Sequence, residues 1–593
     1  MISTCFFLIC FVLLFLAIFF LKKSENKILL IRGGILSIVF IMTYSAVVVM
    51  IFQILGIAIS PVSLGVLYAI TATVVGIYIF KRKQVQKIEI DKIELIGFII
   101  LSIVFLMIEL KVFSWSLRHS FNNEVDPANH FKMAMNIVRN GKVSGMYFSA
   151  LFNSCIINMC KPFLAEIKLY KAFILGNTLQ NYICLIFFYV LVFKFAKNEK
   201  TKIAAIIITL LYWFGYPLYS YIGGNFVYWE AGVLLIEYLI FVLYELLEGK
   251  SKTIPCIVAI AFGLYSLAVC YIMFAPAAFI GAFVVFLLFL VKRGIPVKKI
   301  VVGCSVLITI GILGVLFCYY MIFSSKGLQV GKTLTLQGGI YSEVYRDFLF
   351  LVPPVLYVCI KDIKRKNWSV FHIFLLSFVG VTGVMFVMRL FGAISTYYYF
   401  KNYYALWMLF WIGVMLLSAQ IRKEEITYWI AYSSIIVLSA IMCFGKVEEK
   451  FYYVEDVEEV KNYKELLGIY EYNIELLKKD YETEKYSDEK FEIMQYVIDN
   501  LSGKDTPTVF LMTSNCKGDC YWYEAITQQD SKAFYSSRWK NENLELLESA
   551  LKENDIQYFV ILKSSQAYNR YPEYFEKYEW IFENEEGIIA KVY

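Results

Sequence analysis

The chain has 593 residues, of which 59% are hydrophobic and 18% aromatic, with a mean hydropathy of +0.61. A soluble protein of this length is far more polar, so the composition excludes an ordinary soluble fold and points to an α-helical polytopic membrane protein. The net charge of +7 does not signal nucleic acid, because the basic residues cluster in short loops between apolar runs.

The first stretch, MISTCFFLICFVLLFLAIFFLKK, has no basic leader and no small-residue cleavage site, and its charges follow the apolar run. It reads as a retained first span with its N-terminus outside. A span needs roughly 20 apolar residues, and that rule places about fourteen. They lie near 3–21, 29–56, 62–80, 93–114, 172–193, 203–222, 228–247, 254–273, 275–291, 300–323, 344–360, 368–388, 403–419 and 426–444. The loops between them alternate in character. KKSEN, KRKQVQK, KFAKNEKTK, EGKSK, KRGIPVKK, KDIKRK and RKEE form a Lys/Arg-rich set. ISPVS, IGGNF, FAP and three longer inserts (115–171, 324–343 and 389–402) form a set poor in positive charge. Basic loops stay in the cytoplasm, so the expected topology is a multi-pass plasma-membrane protein with both termini extracytoplasmic.

The membrane part divides into N-terminal helices over 1–92 and a core over 93–444. After Phe444 the composition turns from apolar to charged. The Lys/Glu-rich stretch 446–501 reads as a solvated helical stalk. Beyond it, TVFLMTS reads as a strand, ENLELLESALKEN as an amphipathic helix, IQYFVILKSS as a buried strand, and ENEEG as a turn joining two short strands. Residues 445–593 are thus expected to hold a small extracytoplasmic α/β domain with a partly parallel sheet. Most of the 13 Cys lie within apolar runs, where Cys acts as a small hydrophobe. Cys516 and Cys520, in NCKGDC, are open to either a disulfide or two free thiols.

The segment NNEVDPANHFKMAMNIVRNG, residues 122–141, stands out between two apolar runs. Asp126 before Pro127 is a helix-start signal, and Asn140–Gly141 is a stop signal. Phe131, Ala134, Met135 and Val138 share one face, which predicts a short helix lying in the membrane interface. His130 stands one turn beyond Asp126. Capping alone accounts for an Asp at this place, Glu124 is compatible with a solvated loop charge, and His130 with a hydrogen-bonding partner.

This loop, opening beyond the apolar run at 93–114 and followed by a helix and a return span, resembles the first extracytoplasmic loop of the GT-C superfamily. These are polytopic glycosyltransferases that use polyprenyl-phosphate-linked sugars, bacterial enzymes among them. The residues that carry the resemblance are Glu124 and Asp126, with His130 beside them. It covers the chain from about residue 93 onward and leaves the first three spans outside. A second matching feature is RLFGAISTYYYFKNYY, residues 389–404, a Tyr-rich late outer loop with a basic residue. The resemblance implies a donor phosphate held by Lys401, with Arg389 as second choice, and Tyr398, Tyr399 and their neighbours facing lipid or sugar. An aromatic belt with a snorkelling Lys remains the equal alternative.

What the resemblance implies is transfer of a sugar from a polyprenyl-phosphate donor in the membrane lipid to an extracytoplasmic acceptor. That acceptor is a cell-wall polymer, a lipid-linked glycan or a protein. Asp126, or next Glu124, would take the acceptor hydroxyl's proton, and a cation would stabilise the leaving phosphate. A single displacement inverts the anomeric carbon. No nucleotide motif is present and none is required. A divalent metal is possible, since Asp126, Glu124 and His130 are suitable ligands, but no spacing makes it specific. Glu230, Glu237 and Glu245 lie on or beside one apolar run, where acids mark functional cavities; Glu230 is the one expected to face substrate. The alternatives are a polysaccharide polymerase or ligase, which would depend on basic residues in late loops, and a transporter or flippase of lipid-linked glycans.

Overall fold

The computed structural model describes residues 1–21, 27–81, 87–118, 125–143, 148–223, 226–249, 253–294, 296–298, 344–420, 468–501, 507–529 and 544–592, with short pieces between 301 and 335. Its longer helices, in chain order, are α1 (Ile2–Leu21), α2 (Leu30–Ile54), α3 (Pro61–Lys81), α4 (Lys92–Val112), α5 (Val125–Asn140), α6 (Phe148–Cys160) and α7 (Leu169–Lys194). There follow α8 (Glu199–Trp213), α9 (Val227–Glu248), α10 (Thr253–Cys270), α11 (Ala275–Lys292), α12 (Val352–Lys364), α13 (Val370–Leu390), α14 (Thr396–Lys401) and α15 (Tyr403–Gln420). The last four are α16 (Gly468–Lys478), α17 (Asp488–Asn500), α18 (Lys517–Thr527) and α19 (Leu544–Glu553).

Among the described residues nine helices are long and apolar enough to cross a membrane, or ten if α8 and the turn that follows it, bent by 43°, make one span. α9 is not among these nine; it is 22 residues long, carries Glu230, Glu237, Glu245 and Glu248, and is buried over nearly its whole length. The run expected at 344–360 is not one span. Pro353 and Pro354 open a fresh helix of 13 residues at Val352, because proline lacks the N–H that would extend the preceding turn. The run expected at 426–444 lies outside the described residues, and that at 300–323 is described only in helical pieces between 301 and 316.

Contacts divide the chain into two compact units: Met1–Glu109, Asn140–Phe152 and Asn177–Lys479, and, separately, Leu110–Arg139, Asn153–Gly176 and Asp480–Tyr593. In the first unit the loops associate with members of their own set. Lys27–Leu29 (β1) pairs in parallel with Lys87–Glu89 (β2), joining KKSEN to KRKQVQK. Lys202 bonds Asp91, Lys194 bonds Glu245 and Glu248, and the Phe371 N–H donates to Tyr244 Oη at 3.2 Å. All of these joints are between Lys/Arg-rich loops or the helix ends beside them. In the other set, the Ile59 N–H donates to the Gly141 carbonyl at 2.8 Å, and the Ser395 N–H to the Leu334 carbonyl at 2.9 Å. Gly141 has φ +63°, and a Cβ there would meet Ala58 Cβ at 2.9 Å, so this close crossing requires glycine.

The second unit contains a four-stranded sheet in the order β3 (Thr508–Phe510), β4 (Tyr558–Leu562), β6 (Gly587–Lys591), β5 (Glu579–Glu583). β3 and β4 are parallel, and β6 runs antiparallel to both β4 and β5. The ENEEG turn joins β5 to β6, as the sequence predicts. α19 presents Leu547, Ala550 and Leu551, at helical spacing, to a core with Leu511, Phe559, Ile561 and Ile588. Each such large side chain contributes about 1.5–3 kcal/mol on burial. Cys516 and Cys520 are buried free thiols. Burial pushes both above the usual thiol range, so neither has the thiolate character of a reactive cysteine.

The stalk expected at 446–501 fails where the chain is described. α16 buries Ile469, Tyr470, Asn473 and Leu476, with Tyr470 Oη donating to the Leu211 carbonyl and Asn473 Nδ2 to the carbonyls of Phe214 and Gly215. α17 buries Ile493, Met494 and Val497. Alternating Lys and Glu disguised two amphipathic helices.

Candidate functional site

In the second unit, α4 gives way to a left-handed turn in which Ser114 (φ 46°) and Trp115 (φ 53°) follow each other. A bulky residue at positive φ is strained backbone, and such strain gathers at functional sites. The turn delivers Arg118, which is fully buried. Its Nε donates to the Phe113 carbonyl at 3.2 Å, and one terminal nitrogen reaches Ser114 Oγ and Glu482 Oε1, each at 3.3 Å. The Tyr486 N–H donates to the Leu117 carbonyl at 3.0 Å, so the loop's first residues are tied to the segment before α17.

α5 starts at Val125, two residues before the Pro127 start that the Asp-Pro signal implies, and ends at Asn140. Asp126 lies half-buried in its first turn, where the exposed N–H groups and helix dipole favour a carboxylate. His130 is buried one turn further on. Glu124 lies outside the described residues. The apolar face of α5 packs against protein: Phe131 lies 5.8 Å from Trp522 and 5.3 Å from Phe173, ring centre to ring centre. Lys132 Nζ stands 3.5 Å from the buried Glu524 carboxylate of α18. The expectation of a helix in the membrane interface therefore misplaces this face, since its large residues have an aromatic partner in α18.

In the first unit, Ser395 Oγ caps α14 by accepting from the Tyr398 N–H at 3.3 Å. This short helix aims Lys401 inward, leaving it only 2% exposed. Its Nζ lies 3.8 Å from the ring centre of Tyr397 and 5.1–5.6 Å from those of Phe226, Tyr228, Trp229 and Tyr398. It also donates to the hydroxyls of Tyr228, at 3.3 Å, and Tyr397. Lys401 is thus a buried cation in an aromatic cage, and the snorkelling alternative is overturned. Tyr399 is buried against Tyr403, with their hydroxyls 2.6 Å apart, so it faces neither lipid nor an open cavity. Arg389 donates from Nε to Thr396 Oγ1 at 3.1 Å and lies over the Tyr399 ring, 5.7 Å away.

Beside the cage, Glu230 in the first turn of α9 is buried and neither carboxylate oxygen has a hydrogen-bond partner. It lines a cavity of about 20 Å³ with Tyr212, Tyr216, Trp229, Glu237 and Tyr404, room for a single water. Glu237 accepts from Tyr212 Oη at 3.2 Å. Glu245 lies at the far end of α9 and is bonded by Lys194. Among the described residues no group of three or more His, Cys, Asp or Glu side chains is placed to hold a metal ion.

Five residues escaped the sequence reading. Phe226, Tyr228 and Trp229 supply three of the five rings around Lys401, and NFVYWEAG, an aromatic-rich stretch where an outer-set loop enters α9, was their signal. Glu109, in the last turns of α4, accepts from Thr178 Oγ1 at 2.8 Å and from Tyr221. An acid inside an apolar run marks it by the rule that singled out Glu230. Arg118 carried no signal; only folding shows that it is buried.

No protein-family model matches this chain, and no curated protein matches it in sequence. Among solved structures it is similar to the apo oligosaccharyltransferase of Archaeoglobus fulgidus, with 11% identity over 79% of this chain and 69% of that one, at a TM-score of 0.45. It is also similar to the archaeal oligosaccharyltransferase AglB from Archaeoglobus fulgidus in complex with an inhibitory peptide and a dolichol-phosphate. There the identity is 14%, the coverage 79% and 69%, and the TM-score 0.37.

Proposed function

We propose that this protein is a GT-C-like membrane glycosyltransferase that moves a sugar from a polyprenyl-phosphate-linked donor to an extracytoplasmic acceptor. The observation that carries the reading is the caged Lys401 in the Tyr-rich loop: a desolvated cation fixed before substrate arrives. Such a group stabilises charge developing on a leaving phosphate without reorganising during the reaction. Its phenol and ring partners are exchangeable for phosphate oxygens. Asp126, held at the start of a docked helix, acts as base toward the acceptor hydroxyl, with Glu124 as second choice, and the anomeric carbon inverts. His130 orients the base or binds a sugar hydroxyl, and Glu230 contacts the sugar.

Asp126→Asn, assayed by glycosylation of envelope polymers in cells, tests the reading. Asn has nearly the size and shape of Asp and takes its place in the half-buried first turn of α5, so the fold survives while the base is lost. Transfer is expected to fall by about 10²–10⁴-fold, the usual contribution of a positioned base. Unchanged transfer removes Asp126 from the mechanism. A transporter of lipid-linked glycans is the second reading, favoured by the unpartnered Glu230 inside an apolar helix bundle. In that case Glu230→Gln halts the process and Asp126→Asn leaves it intact.

A further inference from the structure

Lys401 is almost wholly enclosed, so an anion meets its ammonium only after one wall of the cage gives way. The five rings around it are not equivalent. Phe226, Tyr228 and Trp229, at the entry to α9, are buried. Tyr397 and Tyr398, on the same short helix as Lys401, are half-buried. Tyr397 stands four residues before Lys401, so the two side chains are neighbours on one face of α14. Its ring centre lies 3.8 Å from Nζ, against 5.6 Å for Tyr398, and its hydroxyl accepts a hydrogen bond from the same nitrogen. A phenol oxygen thus holds the position in which an anionic oxygen would make the stronger, charge-assisted bond.

Rotation of this one side chain opens the cage at less cost than movement of the helix. Tyr399 and Phe400 of α14 are buried, and the Ser395 N–H before it donates to the Leu334 carbonyl at 2.9 Å. Arg389 Nε holds Thr396 Oγ1 at 3.1 Å, and Asn402 Nδ2, just past the helix, donates to Thr382 Oγ1. α14 is therefore pinned at both ends and along one face. Tyr397 leaves by its side-chain torsions alone and carries its hydroxyl to the more exposed side. Its departure strips Lys401 of a ring contact and a hydrogen bond in a desolvated place, a loss that an anion replaces and a neutral ligand does not.

We propose that Tyr397 is the lid of the Lys401 site, covering the ammonium at rest and exchanged for an oxygen of a phosphate group when ligand enters. This role rests on the reading of Lys401 as the phosphate's partner, and it assigns the control of access to one side chain. The test is acetylation of Lys401 in the purified full-length protein by a water-soluble N-hydroxysuccinimide ester, read by peptide mass spectrometry, with the exposed Lys200 as reference. Lys401 of the wild type is expected to react far more slowly than Lys200. Tyr397→Ala is expected to speed Lys401 by about tenfold or more, since a cation–π contact and a charged hydrogen bond are both lost. Tyr397→Phe, which keeps the ring and the fold, is expected to speed it by less, and Tyr398→Ala by less again. Inorganic phosphate or a short-chain polyprenyl phosphate is expected to restore protection in Tyr397→Ala. Protection by the lipid at concentrations where inorganic phosphate gives none identifies a lipid-borne phosphate as the ligand, and equal protection identifies the free ion. Equal rates in Tyr397→Ala and Tyr398→Ala, or no acceleration in either Tyr397 variant, overturn the lid and leave the phosphate reading of Lys401 standing. Acceleration that neither phosphate reverses overturns that reading, and with it the exchange proposed for Tyr397.

Discussion

Glu109 and Glu230 are both buried carboxylates on apolar helices, and their partners set what each can tolerate. Glu109 receives two hydrogen bonds, from Thr178 and Tyr221. A glutamine there keeps one acceptor and turns an amide N–H₂ toward the other donor. Glu109→Gln is therefore expected to destabilise by about 1–3 kcal/mol, the cost of an unmade buried hydrogen bond. Glu230 has no hydrogen-bond partner to lose, so Glu230→Gln removes a buried charge without breaking a bond and is expected to cost less stability than Glu109→Gln. Thermal unfolding of the two variants side by side checks the contrast, and equal losses would contradict it. The same residues show what is legible at this scale. An acid in an apolar run can be read from sequence, but whether it is satisfied depends on Tyr221 and Thr178, more than 60 positions away. Lys401 is parallel: its charge and Tyr neighbours are local, while Phe226, Tyr228 and Trp229 arrive from another helix.

α5 shows the same division at the scale of elements. Asp-Pro places its start to within two residues and Asn-Gly places its end, and its apolar spacing gives the buried face. What receives that face cannot be read from spacing, because membrane and protein both accept Phe131 and Met135. Trp522 and Phe173 receive it. Phe131→Ala is expected to cost about 3–5 kcal/mol, as for other buried Phe truncations, and to speed amide exchange along α5. If the helix lay on lipid, the exchange would be little changed. The start of the same loop carries a pH response. The Lys485 ammonium and the Arg118 guanidinium hold the Glu482 carboxyl below its ordinary value of 4.5. Because that pKa is depressed in the folded protein, the stability it contributes is full above its ordinary value. It is lost as the pH falls through the lower, folded value. Exchange at the Tyr486 amide, corrected for its intrinsic rate, is expected to accelerate in that acid window. Glu482→Gln should exchange fast at every pH; a variant that keeps the acid-induced change would place its cause elsewhere.

Across the whole molecule, the alternation of loop charge was the feature most fully legible from sequence, since it needs only a tally of Lys and Arg between apolar runs. Span count was less so. Pro353–Pro354 broke one run, while the run at 228–247 is found as the buried 22-residue helix α9 despite its four acids. The loop contacts of the first unit supply an independent constraint: β1 pairs with β2, and Ile59 with Gly141, each within one set. Loops that touch share a side of the membrane, so assigning one loop assigns those joined to it. Leu55, at the end of α2 next to ISPVS, and Lys200, in KFAKNEKTK, are exposed residues beside or within loops of opposite sets, and neither belongs to the Lys401 cage. Leu55→Cys is expected to react with a membrane-impermeant maleimide in intact cells, over the background of the native cysteines. Lys200→Cys is expected to react only after permeabilisation, because basic loops remain cytoplasmic. The reverse pattern would turn the Lys401 loop to the cytoplasm, where a nucleotide-sugar donor would be accessible, and would remove the reason for a lipid-borne one. Labelling of both from the same side would break the alternation itself, and with it the pairing of loop sets that the hydrogen bonds describe.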